Sequence, residues 1–215
     1  MADIQLVETS LRDGNQSLWG ATGINTAMTL TIAPVMDRVG FKAIDFTTST
    51  HMGVAVRYKQ EDPWERIRLM AAATPNTPLQ FMSTGFRFIS WETASPEFMA
   101  LVFRTLARNG IRRFCLADPM NDADANMACA RMVKQGGGEY VIAALVYTLS
   151  PIHDDSYYIE RARRLAAAAA DGITVVAQGT IVADAPSGGF YAVPTLLRDV
   201  PADNPLACDE VFGPV

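Results

Sequence analysis

Short apolar runs recur along the first 170 residues, and each is followed by a longer stretch with apolar positions three and four apart. Ile4-Gln5-Leu6-Val7 is the first run and ends at Glu8. Residues 24 to 39 read as a helix closed by Gly40, and Phe41-Lys42-Ala43-Ile44-Asp45-Phe46 alternates as a strand does. Residues 62 to 73 form the next helical stretch, with Asp62 placed as its N-cap and Pro63 at its first position. Pro78-Leu79-Gln80-Phe81-Met82 is a third strand. Ser95 and Pro96 open another helix, which Asn109-Gly110 ends. Arg113-Phe114-Cys115-Leu116-Ala117 is a fourth strand, and residues 121 to 135 are a helix stopped by Gly136-Gly137-Gly138. Tyr140 to Tyr147 is a very apolar fifth strand, and residues 154 to 170 form a helix that ends in five alanines.

Strands alternating with helices five times over require parallel pairing with crossover helices. An open doubly wound sheet and a (β/α)₈ barrel both meet that requirement. The first strand is not followed by G-x-G-x-x-G, which weighs against a dinucleotide-binding sheet. Polar residues gather where the strands end, at Glu8 to Asp13, Asp45 to Thr48, Ser83-Thr84 and Asp118. A barrel builds its site at that end of its strands. After Asp171 the pattern changes to short β-like pieces with turn signals, Pro186-Ser187-Gly188-Gly189, Pro194, Pro201, Pro205 and Gly213-Pro214. The expected fold is therefore α/β, a partial (β/α)₈ TIM barrel of about five βα units with a short β-rich C-terminal tail. The domain boundary falls between residues 1–171 and 172–215. Five units cannot close an eight-stranded barrel, so open sheet edges and self-association through them are expected.

Composition narrows the function classes. The chain has 215 residues, 49% hydrophobic and 19% charged, and a net charge of −5. That balance argues against a nucleic-acid binder, which usually needs a basic face. Cys115, Cys129 and Cys208 lack C-x-x-C spacing and form an odd set, so a reducing compartment fits better than a disulfide framework. No apolar run reaches membrane-spanning length, and Met1-Ala2-Asp3-Ile4 does not open a secretory signal. A cytoplasmic location, away from membranes, is the default expectation.

Chemistry concentrates in Glu8-Thr9-Ser10-Leu11-Arg12-Asp13-Gly14-Asn15-Gln16-Ser17, directly after the first strand. Asp13 could ligate a hard divalent cation. Arg12 could grip a carboxylate with two parallel hydrogen bonds. Gln16 could donate to a developing enolate oxygen. The plain alternative is a polar turn in which Arg12 and Asp13 pair and Gly14 allows the bend. Two histidines, His51 and His153, lie elsewhere and read as surface or loop residues.

This stretch resembles the opening motif of the pyruvate carboxyltransferase-like (HMG-CoA lyase-like) family of metal-dependent TIM barrels. The likeness continues through Val54-Ala55-Val56-Arg57-Tyr58, Glu61-Asp62-Pro63-Trp64-Glu65-Arg66, Thr77-Pro78-Leu79-Gln80, Ala107-Arg108-Asn109-Gly110-Ile111 and Tyr147-Thr148-Leu149-Ser150-Pro151-Ile152-His153. It covers about residues 4 to 170 and is similar to the biotin-dependent carboxyltransferase branch. The resemblance implies a carboxyltransferase or carbon–carbon lyase working on a keto acid through an enolate. It implies a divalent metal (Mn, Zn, Co or Mg) and biotin on a separate carrier protein. It makes Asp13 a metal ligand, gives Arg12 and Gln16 catalytic contact with the substrate, and places Asp45, Thr84, Trp91 and Asp118 around it. Thr84 stands where the branch carries a carboxylate-binding arginine, with Arg87 near it, and Trp91 stands where it carries a tyrosine. The family's later lysine and His-x-His ligands have no counterpart in this chain.

The tail has a resemblance of its own. Gly188-Gly189-Phe190-Tyr191-Ala192-Val193-Pro194-Thr195-Leu196-Leu197, Asp199-Val200-Pro201 and Asp209-Glu210-Val211-Phe212-Gly213-Pro214-Val215 are similar to a late segment of aldehyde dehydrogenases, over about residues 173 to 215. In that family Glu210 would hold the nicotinamide ribose and Phe212 would sit beside the nicotinamide. The upstream nucleophile motif and coenzyme domain have no counterpart, and Cys208 is misplaced for the nucleophile, so NAD(P) is not expected. Two alternatives to a keto-acid enzyme remain at this stage: a catalytically inert hybrid or remnant, and an NAD(P)-dependent aldehyde dehydrogenase fragment.

Overall fold

The computed structural model describes residues 5–88, 92–148, 150–169, 174–178 and 195–198. Strand β1 (Val7–Glu8) is followed by a π-helical turn at Ser10–Gly14, then α1 (Asn15–Trp19) and α2 (Thr26–Val39). Next come β2 (Ala43–Thr48), α3 (Ser49–Val54), a second π-helical turn at Ala55–Lys59, and α4 (Pro63–Ala73). The remaining βα units are β3 (Leu79–Ser83), α5 (Pro96–Arg108), β4 (Ile111–Leu116), α6 (Ala123–Gly136), β5 (Tyr140–Ala143) and α7 (Asp155–Ala169). In the tail, β6 (Thr174–Gln178) and β7 (Thr195–Arg198) pair antiparallel.

The helix ends follow local chemistry. Asp62 accepts from the Trp64 N–H at 2.8 Å and Ser95 from the Phe98 N–H at 3.3 Å, each directly before a proline that cannot donate. Asn25 and Asp122 cap α2 and α6 in the same way. At the turn from α5 into β4, Gly110 holds φ +116, and a Cβ there would lie 2.5 Å from the Ala71 side chain. Only glycine meets both demands.

Strands β1 to β5 form one parallel sheet in chain order, so the α/β barrel-like arrangement is as expected. It is open among the described residues: β1 and β5 each have one partner strand in it. Strands β6 and β7 pair with each other and not with this sheet. The main core lies between the sheet and its helices. Ile44, Leu79, Phe81, Ile111, Phe114 and Val141 meet Ile67, Met70, Met99, Phe103, Leu106 and Val133 there, all buried. Phe114 packs edge-on to Phe103, with ring centroids 5.9 Å apart, and 6.4 Å from Phe81.

Side chains alternate between the faces of a strand. Asp45, Gln80 and Arg113 are each adjacent in their strands to a core residue, Ile44, Leu79 and Phe114, and so take the opposite face; a register shift between Leu79 and Gln80 brings Arg113 into line with the other two. All three are buried. The fifth strand is shorter than its apolar run predicts. Past Ala143, Asn121 substitutes for a strand partner: its Oδ1 accepts from the Val146 N–H at 2.7 Å and its Nδ2 donates to the Val146 carbonyl at 2.8 Å. The first strand is displaced too, to Val7–Glu8, while residues 1–4 lie outside the described residues.

Candidate functional site

The chain turns sharply after β1 because Glu8 folds back on it. Its Oε1 accepts from the Ser10 N–H at 2.6 Å and also from the Ser10 hydroxyl. The Thr9 carbonyl then accepts from the N–H groups of Asp13 at 2.8 Å and Gly14 at 3.2 Å, which sets the π-helical turn. Leu11 anchors that turn in the core. Asn15, fully buried, closes the following loop: its Oδ1 accepts from the N–H groups of Gly23 and Ile24 at 3.1 and 3.2 Å. This bracing leaves Arg12 and Gln16 on the wall of a cavity beyond the C-terminal ends of β1, β2 and β3.

The cavity has a volume of about 580 Å³. Arg12, Gln16, Thr48 and Thr84 supply polar groups to its lining, and Met52 and Trp64 are among its apolar ones. Among the described residues the lining carries two arginines, Arg12 and Arg57, and no carboxylate. The Arg12 Nε donates to the Asp45 Oδ2 at 2.6 Å, and Nη1 donates to the Asp13 Oδ1 at 2.8 Å. Asp45 is 1% exposed, so the guanidinium is fixed from behind by a desolvated carboxylate. Burial pushes the Asp45 carboxyl above its ordinary value, and Arg12 and Gln80 pull it back only in part. The Gln16 Oε1 is buried without a hydrogen-bond partner among the described residues.

His51 overturns the expectation of a surface or loop position. It sits in α3, 6% exposed, because Thr48 caps that helix and draws the ring inward. The Thr48 Oγ1 lies 3.0 Å from the His51 Nδ1. Burial, reinforced by the charges of Arg66 and Arg12, drives its pKa down to about 4. His153 is half-buried against Tyr157, and its Nδ1 lies 2.7 Å from the Ser150 Oγ.

The sequence-predicted residues thus separate into groups. Arg12, Gln16 and Thr84 line the cavity together. Asp45 stands behind Arg12 and is not part of the lining. Asp118, 4% exposed, accepts from the Arg87 Nη1 at 3.1 Å and from the N–H groups of Met120 and Asp122, so it orders the turn after β4. Trp91, Glu210, Phe212 and Cys208 lie outside the described residues. Cys115 and Cys129 are buried in the fold, and burial pushes the Cys129 thiol up to about 12.

The described residues do not fit a metal centre. Among them no three His, Cys, Asp or Glu side chains converge. The carboxylate of Asp13 is 57% exposed and is already bonded to Arg12. A zinc-type site needs three or more protein ligands. Among the described residues no helix is long and apolar enough to cross a membrane.

Two buried polar residues escaped sequence reading. Gln80 and Arg113 interrupt the apolar alternation of β3 and β4, and the Arg113 Nε donates to the Gln80 Oε1 at 2.8 Å. The adjacent Arg112 points outward to Glu139, so the strand period could have separated the two arginines.

The chain is 30% identical over 214 residues to a pyruvate carboxylase subunit from Methanocaldococcus jannaschii, covering 99% of this chain and 37% of that one. It is 33% identical over 171 residues to the 2-oxoglutarate carboxylase large subunit of Hydrogenobacter thermophilus, covering 80% of this chain and 26% of that one. It therefore spans well under half the length of these relatives. The structure of the carboxyl transferase domain from Rhizobium etli pyruvate carboxylase with pyruvate and biocytin matches with a TM-score of 0.71 at 24% identity. That match covers 76% of this chain and 29% of that one. The aldehyde dehydrogenase family matches residues 145–215. This match starts upstream of the tail boundary read from the sequence and overlaps the similarity to the archaeal carboxylase.

Proposed function

We propose that this chain is a carboxyltransferase-type barrel segment that binds the carboxylate of a 2-oxo acid at Arg12. The observation that carries this reading is the shared cavity wall: Arg12 and Gln16 face one space, and Arg12 is held by a buried carboxylate. Nε and Nη1 are committed to Asp45 and Asp13, which leaves the Nη2 edge for a ligand. In this reading Gln16 donates an amide hydrogen to the carbonyl oxygen as it becomes an enolate. A cavity of about 580 Å³ is far larger than a small 2-oxo acid needs. The remaining space suits a second group that delivers or takes up the carboxyl, and biotin on a carrier protein is the donor that the similarity to biotin-dependent enzymes supports. A metal is not assigned to the described residues, and no step here depends on one.

The test is titration with pyruvate and with its unreactive analogue oxamate, followed by calorimetry. Arg12→Ala is expected to weaken both by at least about ten-fold, since a charge-assisted contact of this kind contributes roughly 1.5–3 kcal/mol. Unchanged affinity in a folded Arg12→Ala variant would reject the reading.

The match of residues 145–215 favours a second reading, nicotinamide cofactor binding through the tail. Titration of NADH fluorescence separates the two. Saturable binding that Glu210→Ala abolishes would support the second reading, and no binding would dismiss it.

A further inference from the structure

We infer that Gln80 and Arg113 are positioning residues for the cavity, acting on Arg12 through Asp45. The inference rests on the carboxylate-binding reading of Arg12 and extends it to two residues outside the cavity. Asp45, Gln80 and Arg113 are register partners on adjacent parallel strands, so their side chains stand side by side on one face of the sheet. They are 1%, 5% and 3% exposed, and burial of two ionisable groups with an amide is costly unless the three satisfy each other.

The donor inventory gives the row a direction. A guanidinium can only donate, so the Arg113 Nε bond fixes the Gln80 carbonyl oxygen on the Arg113 side. The amide nitrogen of Gln80 is thereby turned toward Asp45. Gln80 lowers the Asp45 carboxyl against the effect of burial, and the Asp45 Oδ1 is a buried acceptor with no hydrogen-bond partner among the described residues. Gln80 is the register neighbour of Asp45 and bounds one side of its carboxylate, while Oδ2 is aimed at the Arg12 Nε, 2.6 Å away. Arg12 continues the row to the cavity, where its guanidinium is on the wall. Arg113 and Gln80 touch no ligand in this scheme; they set the angle at which Arg12 presents its free edge.

Two measurements test this on the whole chain. The first reads the Arg12 Nε–H by nitrogen-15 NMR without ligand. In the parent protein this hydrogen is expected to be protected from exchange, and in Gln80→Met and Arg113→Lys it should shift and lose protection. The second is a double-mutant cycle on pyruvate affinity. Gln80→Met is expected to weaken binding about five-fold when Asp45 is present and to have no effect in an Asp45→Asn background. An unmoved Arg12 signal, or an equal loss in both backgrounds, would overturn the inference. If Gln80→Met does not fold, Arg113→Lys decides the matter alone, because it keeps the buried charge and alters only the fixed fork. The failure of the parent reading looks different: Arg12→Ala would then bind pyruvate as well as the parent protein.

Discussion

Replacing Phe114 with alanine is expected to destabilise the fold by about 4 kcal/mol, within the range for a fully buried aromatic. Phe114 is 0% exposed and stands at the centre of the core. Its ring meets Phe103 of α5 edge to face and Phe81 of the neighbouring strand. Truncation removes apolar burial and two aromatic contacts at once, and leaves a void bounded by a strand on one side and a helix on the other. The neighbours are themselves tightly packed: a Cβ at Gly138 would already lie 2.9 Å from the Phe114 ring. Urea denaturation gives the measurement. Phe114→Leu should cost only about 1.5 kcal/mol because most of the volume is kept. A loss below about 1 kcal/mol for the alanine variant would mean that Phe114 is not packed as described.

The second large effect is a pH dependence set by His51. Its pKa is lowered from an ordinary value of 6.5 to about 4 in the fold. Above pH 6.5 the imidazole is neutral in both folded and unfolded chains, and its contribution to stability is fully present. Between pH 6.5 and 4 the unfolded chain takes up a proton that the buried ring refuses, so this stability is lost as pH falls. The loss is about 3 kcal/mol once pH 4 is passed. Acidic residues titrate in the same range, so the informative quantity is the difference between parent and His51→Leu. That difference should narrow by about 3 kcal/mol in urea experiments on going from pH 7 to pH 4, because the leucine variant has no ring to protonate. A constant difference would show that the ring can be protonated in place.

His51 also shows where sequence reading stops. The alternation of apolar residues located all five parallel strands and the five longer helices, because burial on both sheet faces and N-caps such as Asp62 and Ser95 are local properties. The short α3 has no such signature. It exists because Thr48 ends a strand and caps a helix at once, a tertiary coincidence that carries His51 inward. The limits of β5 were hidden for a related reason: Asn121, some two dozen residues away in sequence, takes the place of a strand partner. At the cavity, Arg12 and Gln16 were legible because the turn after the first strand concentrates them. The setting of Asp45 behind Arg12 was not, since it depends on pairing between β1 and β2 and on the turn that Glu8 imposes. Gln80 and Arg113 were passed over as ordinary strand residues, and only the register between β3 and β4 reveals that they touch.

The chain order of the sheet bears on how the molecule assembles. Each of the five parallel strands after the first pairs with the strand that precedes it in the chain. During synthesis, every such strand therefore emerges directly after the one it pairs with. Loops that must close are those of single crossover units, and their entropic cost rises only slowly with length. No strand of this sheet has to wait for a distant partner, which keeps the sequence separation of contacts low for a parallel sheet and shortens the time that a bare edge is displayed. The aromatic contacts of Phe81 and Phe114 lie on the β3–β4 pair at the middle of this series. A nucleus there would let β2 and β5 add on either flank, and the two-residue β1, carrying Arg12 behind it, would dock last, so that the cavity takes shape only when the rest of the sheet is in place.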